Sequence, residues 1–168
     1  MTKRIFSIIL VIMWLFVIFS FSHTPGDTSA RQVKTLLEKV VSLIGKLIYK
    51  TGIVSEPVSD EDIMLIVRNN YMVFRKMCHF FVFFVLGIIS YLAVSVVFNK
   101  GMIFSLVMAI VFSIGYSVFD ELHQSTIIGR RGMFTDCLID AGGVMVASAL
   151  IYSLTYKIKP KEIFLKKN

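Results

Sequence analysis

The stretch FDELHQSTIIGRRGMFTDCLIDAGG, residues 119–143, is a polar interval between two long apolar runs. It contains acidic and basic side chains, a histidine and a glutamine, and one of its acids, Asp140, lies inside the second run. The rest of the chain is far more apolar, since 56% of its 168 residues are hydrophobic and its mean hydropathy is +0.76. That composition is too apolar for a water-soluble core of this size, so the sequence predicts that the bilayer is its solvent.

Four apolar runs divide the chain, and each is close to the roughly 20 residues that a spanning helix needs. None of them contains lysine or arginine. The first is longer than the apolar part of a signal peptide, so we expect a retained anchor rather than a cleaved leader. The sequence therefore predicts an all-α integral membrane protein, a four-helix bundle that forms one domain over residues 1–168, with spans at about 5–21, 80–98, 102–119 and 137–156.

The first loop, residues 23–76, is the one long segment outside these runs. Between residues 33 and 48 its apolar side chains recur at helical spacing with lysines largely opposite, which predicts an amphipathic helix on the membrane surface. The segment SDED, residues 59–62, has the pattern of a capping box that opens a second helix, which can continue into the second span. We expect an amphipathic helical hairpin as an insertion at residues 30–76, which anchors to lipid headgroups or covers the bundle. A lid over a site is the alternative.

The orientation of the bundle is predicted from the basic residues of its tails and loops. Four spans place both termini on one side, together with Lys3, Arg4, Lys100 and the five lysines of residues 157–167. The first loop has eight basic and six acidic residues, but loops of this length follow the positive-inside rule poorly. The short lysine-rich tail therefore predicts that both termini are cytoplasmic.

Because successive spans alternate in direction, most of the polar side chains are expected at one end of the bundle, which this orientation turns outward. Asp136 and Asp140 are four residues apart and share a helical face. A carboxylate at bilayer depth costs about 3 kcal/mol unless it is paired or faces a wet cavity. We expect Asp140 to pair with His79, or with Lys76 or one of the loop arginines. The candidate site residues are Lys76, His79, Asp120, Glu121, Gln124, Arg130, Asp136 and Asp140.

Three segments resemble the VanZ-like family, whose namesake is a teicoplanin-resistance protein: FSHTPGDTS after the first run, RKMCHF at the second, and the stretch quoted above. Asp140 stands where asparagine is usual in that family, and His23 where glutamine is frequent. The resemblance implies a multi-pass plasma-membrane protein of the cell envelope with a part in antibiotic resistance, and it does not imply a reaction. The residues that match the family pattern are Lys76, His79, Asp120, Glu121, Gln124, Gly129, Arg130, Asp136 and Gly143.

Three classes of function stay open for the polar cluster. We favour a binding module in which Arg130, Lys76 and Gln124 recognise an anionic membrane lipid or a peptidoglycan-precursor group. A membrane-embedded enzyme acting on a lipid-linked or cell-wall precursor, with His79 as general base, is the first alternative, and a purely structural bundle is the second. No HExxH motif or glycine-rich phosphate loop is present. We expect no nucleic-acid partner.

Neither a metal nor another cofactor is predicted. Histidine and carboxylates can ligate a divalent ion, but Glu121 and His123 are two residues apart and point to different helical faces. Cys78 and Cys137 both begin predicted spans at the same end of the bundle, so a disulfide is conceivable, although buried free thiols are expected more often at such spacing.

Overall fold

The computed structural model describes the backbone of residues 1–165 and the side chains of residues 1–156, so the five lysines of the tail that predict the orientation lie outside the described side chains. The described backbone contains no strand. Helices α1, α3, α4 and α5 are long and apolar enough to cross a membrane, which confirms an all-α chain with four candidate spans. The five helices are α1 Thr2–Ser22, α2 Gly26–Lys50, α3 Asp60–Phe98, α4 Met102–Ser125 and α5 Phe134–Leu165.

Three of the spanning helices extend well beyond the apolar runs that predict them. α3 begins at Asp60, where the Ser59 side chain accepts a hydrogen bond from the Asp62 backbone N–H. It ends at Phe98 and is followed by Asn99, which has a left-handed conformation. α4 continues to Ser125 and therefore includes the polar residues at the end of the third run. Hydropathy marks only the lipid-facing part of a helix, whereas its backbone hydrogen bonds continue until a cap or a turn replaces them.

The first loop differs in part from its prediction. α2 is a single long helix that packs against α3, and residues 51–59 join the two. The part of the loop after Ser59 is continuous with the spanning helix α3. A separate amphipathic hairpin is therefore not confirmed, because its expected second arm is the beginning of a spanning helix.

The centre of the bundle is formed mainly by α3 and α5, which make the most extensive contact between any two helices of the described chain. A side chain at Gly143 would overlap the carbonyl oxygen of Phe80, so the glycine allows the two backbones to approach closely. Phe83, Leu86 and Val144 pack there with Ile18 of α1. Most of the other large apolar side chains are exposed, as expected for a bundle surrounded by lipid.

The loop between α4 and α5 also holds the start of α2. The backbone N–H of Gly26 donates to the carbonyl oxygen of Ile128 at 3.1 Å. A side chain at Gly26 would overlap the Gly129 carbonyl group, and Gly129 itself has a φ of +74°, a conformation that favours glycine. These contacts place the following residue, Arg130, against the ends of α1 and α4 and the start of α2.

Candidate functional site

The candidate residues come together at one end of the bundle, where α1 and α4 end and α5 begins. All five of the candidates on α4 and α5 are buried, namely Asp120, Glu121, Gln124, Asp136 and Asp140. Lys76 and His79, on α3, are less buried. Buried polar groups are almost always hydrogen-bonded, so each of these side chains is expected to have a partner.

Arg130 joins three helices through its guanidinium group. Its Nε donates to the carbonyl oxygen of Thr24 at 2.8 Å, and its Nη1 donates to Gln124 Oε1 at 2.9 Å. Its Nη2 donates both to the carbonyl oxygen of Phe21, at 2.6 Å, and to Ser29 Oγ, at 2.7 Å. These bonds use four of the five N–H groups of arginine. Burial lowers the pKa of Arg130 below its ordinary value, but a guanidinium group stays charged in proteins.

Gln124, on α4, holds the guanidinium group of Arg130 in its orientation. While its Oε1 accepts from Arg130, its Nε2 donates to Asp120 Oδ2 at 2.8 Å and to Ser22 Oγ at 3.2 Å. The side-chain amide therefore has partners at both of its ends, which fixes its orientation. Arg130, Gln124 and Asp120 form one continuous chain of hydrogen bonds.

Two ion pairs connect α3 to α5. Lys76 Nζ lies 3.3 Å from Asp136 Oδ1, and His79 Nδ1 lies 3.5 Å from Asp140 Oδ1. The second pair is the one that the sequence predicts for the carboxylate at bilayer depth. The other oxygen of Asp140, Oδ2, accepts a hydrogen bond from Ser117 Oγ at 2.7 Å.

Glu121 has a different environment from that of the other acids. Its Oε2 accepts a hydrogen bond from the backbone N–H of Met133 at 2.8 Å, whereas its Oε1 has no hydrogen-bond partner among the described residues. Glu121, His79 and Asp140 each present a possible metal-ligating atom, and these three atoms lie within 4.8 Å of one another. His123, the histidine compared with Glu121 in the sequence, instead stacks on Phe19.

A cavity of about 430 Å³ lies beside this cluster, between α1, α2, α3 and α4. Its walls are mainly apolar, with Ile18, Val33, Leu36, Val82 and Phe83 among the lining residues. Its polar lining residues include Arg75, His79, Asp120 and Arg130. The described residues give no hydrogen bond or ion pair to the side chain of Arg75.

Some residues of the network are absent from the sequence prediction. Ser117 lies three residues before Asp120 and seven before Gln124 on one face of α4, so its spacing was a usable signal. Ser29 and the carbonyl oxygens that Arg130 binds have no such signal, because they belong to segments more than 100 residues away in sequence. Both cysteines, Cys78 and Cys137, are free.

A family model described as VanZ/LLP1 matches residues 6–156, a range that contains every candidate site residue. No curated protein and no solved structure matches the chain.

Proposed function

The chain belongs to the VanZ/LLP1 family, and from this premise we propose that it binds the anionic group of an amphiphile at the polar end of its bundle. The amphiphile is a membrane lipid or a lipid-linked peptidoglycan precursor. The site faces outward from the plasma membrane, with both termini in the cytoplasm. By binding such a molecule, the protein contributes to lower susceptibility to glycopeptides such as teicoplanin. Resistance to teicoplanin is the property that gives the family's namesake its name.

The observation that carries this proposal is the combination of apolar walls and basic lining residues in the cavity. Apolar side chains from α1, α2 and α3 line most of it, and Arg75 and Arg130 are among its polar lining residues. An acyl or polyprenyl chain suits apolar walls, while a phosphate or carboxylate suits guanidinium donors, which can bind it in a bidentate manner. A free metabolite without an apolar part would leave most of the cavity without a complementary surface.

The contacts in the cluster suggest different roles for its cations. Arg130 keeps its charge but has one N–H that the described residues do not use, so it contributes mainly electrostatic attraction. Arg75 has its whole donor set available and is the main anion-binding group in this proposal. Gln124 positions Arg130, and Lys76, paired with Asp136, neutralises part of the acidic cluster.

One observation favours an enzyme as the second candidate. His79 lines the cavity, and Asp140 lies behind it, as a carboxylate that orients a general base does. In that case a bound lipid-linked pyrophosphate would be hydrolysed rather than only held. Release of inorganic phosphate from the substrate distinguishes the two candidates.

Binding is tested with the purified full-length chain in detergent. Titrations with phosphatidylglycerol and with phosphatidylcholine of the same acyl chains measure the preference for an anionic headgroup, and farnesyl pyrophosphate represents the polyprenyl precursors. We expect Arg75→Gln to weaken binding of the preferred anionic ligand about tenfold, which corresponds to about 1.4 kcal/mol. Arg68→Gln, on the same helix but outside the cavity lining, is the matched control.

Four outcomes separate the possibilities. A preference for phosphatidylglycerol that Arg75→Gln removes supports a lipid ligand, and a preference for farnesyl pyrophosphate supports a precursor. Phosphate release that stops in His79→Gln supports the enzyme. Equal binding of charged and zwitterionic amphiphiles, unaffected by Arg75→Gln, contradicts the proposed site and leaves a structural bundle.

A further inference from the structure

We propose that His79, Glu121 and Asp140 form a binding site for a divalent transition-metal cation where α3, α4 and α5 meet. The three possible ligand atoms lie within 4.8 Å of one another. Bonds of about 2.0–2.2 Å at tetrahedral angles place two ligand atoms of one zinc ion about 3.3–3.6 Å apart. The three groups therefore have to approach one another by at most about 1.5 Å to bind one ion, a distance that rotation of their side chains can supply.

The orphaned oxygens of the two carboxylates point to a ligand. Glu121 Oε1 and Asp140 Oδ1 are both buried without a hydrogen-bond partner among the described residues, and the two residues are 5% and 0% exposed. His79 Nδ1 approaches Asp140 Oδ1 at 3.5 Å, which is within ion-pair range but long for a hydrogen bond. Buried acceptors without partners are costly, and a single cation satisfies both.

The other oxygen of each carboxylate is already held by the protein. Ser117 Oγ donates to Asp140 Oδ2, and the backbone N–H of Met133 donates to Glu121 Oε2. One oxygen is thus fixed by a donor while the other stays available. Hydrogen bonds that orient ligating side chains in this way are a regular feature of metal sites.

The balance of charge in the cluster also favours a cation. Among the described residues, Lys76 pairs with Asp136 and His79 lies beside Asp140, but no basic side chain lies within 4.0 Å of Glu121. A divalent ion would offset the charges of Glu121 and Asp140 together. His79 would then bind it as a neutral imidazole, which is the form that ligates metals.

The donor set indicates which ions fit. One imidazole nitrogen with two carboxylate oxygens suits Zn²⁺ or Mn²⁺, whereas Mg²⁺ and Ca²⁺ prefer oxygen ligands alone. The set comes from three helices, so the ion would tie them together inside the bundle. Because His79 also lines the cavity, the ion would lie in the cavity wall, but its binding does not depend on the amphiphile proposed above.

The test uses the full-length chain, purified without a polyhistidine tag and stripped with EDTA. Titration with Mn²⁺, followed by electron paramagnetic resonance, should show one bound ion per chain, and Zn²⁺ should displace it. Loss of an outer-shell partner costs about 10- to 100-fold in metal affinity, so Glu121→Gln and Asp140→Asn should cost at least about 100-fold. Glu38→Gln makes the same chemical change at an exposed position on α2 and should bind as wild type does.

A spectroscopic readout keeps the test informative even if a variant does not fold. Bound Mn²⁺ in the wild-type protein should show a magnetic coupling to the nitrogen of His79. Absence of stoichiometric binding, an all-oxygen coordination, or unchanged affinity in both Glu121→Gln and Asp140→Asn would overturn the proposal.

Discussion

Arg130 and Arg131 show how differently two adjacent residues of one type are used. Arg131 is exposed, whereas Arg130 donates hydrogen bonds to the end of α1, the start of α2 and the last turns of α4. Arg130 thus stabilises the arrangement around the cavity as well as supplying charge. In the sequence both arginines belong to one short loop, and it is the resemblance to the VanZ-like family that singles out Arg130.

The first prediction concerns that difference. Arg130→Lys should lower the free energy of unfolding of the protein in detergent by about 2–4 kcal/mol, and its melting temperature with it. A lysine ammonium cannot reach all four acceptors, so some of them stay buried without donors. Arg131→Lys is the matched control and should leave the melting temperature unchanged. Melting followed by the fluorescence of Trp14 checks both, and equal melting of the two variants would show that the hydrogen bonds of Arg130 do not stabilise the bundle.

At the scale of the helices, the contact between α3 and α5 determines where the ion pairs form. The two backbones approach at Gly143 and Phe80, one turn from the His79–Asp140 pair. Helices that meet without bulky side chains between them bring short polar side chains within reach of each other. The glycine on α5 is therefore part of what makes the buried pair possible.

The second prediction tests this contact with neighbouring glycines. Gly143→Ala should destabilise the protein and weaken the interaction of His79 with Asp140, because the added methyl group overlaps the Phe80 carbonyl oxygen and pushes the helices apart. Gly142→Ala should be tolerated, since its nearest atom, in the ring of Phe80, is 3.8 Å away. Thermal melting of the two variants compares them directly. A stable Gly143→Ala protein would mean that the helices can separate there without cost.

At the scale of the whole molecule, α2 attaches the first loop to the spanning bundle. Its start is held by Gly26 and Ser29, and its residues Val33 and Leu36 form part of the cavity wall. The helix therefore covers the cavity on one side rather than standing apart from it. This arrangement supports the interpretation of the first loop as a cover for the site.

The third prediction concerns the orientation of the molecule. In a protein with Cys78 and Cys137 replaced by serine, a cysteine introduced at Thr51 should react with an impermeant thiol reagent on intact cells. A cysteine in place of Asn168, beyond the described residues, should react only after the cells are permeabilised. The physical reason is the preference of short lysine-rich tails for the cytoplasmic side. The opposite labelling pattern would show that the cavity and its arginines face the cytoplasm.

The sequence by itself determined the number and approximate position of the spanning helices. Whether a segment enters a bilayer depends on the summed transfer free energies of about 20 consecutive side chains, and this sum depends only on the local sequence. Alternation of the spans then placed the candidate site residues at one end, and helical spacing made the pairing of His79 with Asp140 a reasonable expectation. The family resemblance followed from the same residues.

The tertiary structure alone decided which partner each polar side chain has. Arg130 binds carbonyl oxygens of Phe21 and Thr24, and a backbone carbonyl has no signature in a sequence because every residue carries one. The carboxylate of Glu121 lies close to His79 on α3 and Asp140 on α5, and not to His123 of its own helix, because α3, α4 and α5 pack against one another at this level of the bundle. Helices α3 and α4 extend beyond the apolar runs that predict them for a related reason. Polar residues continue a helix when neighbouring helices satisfy their side chains, and that satisfaction exists only once the bundle is assembled.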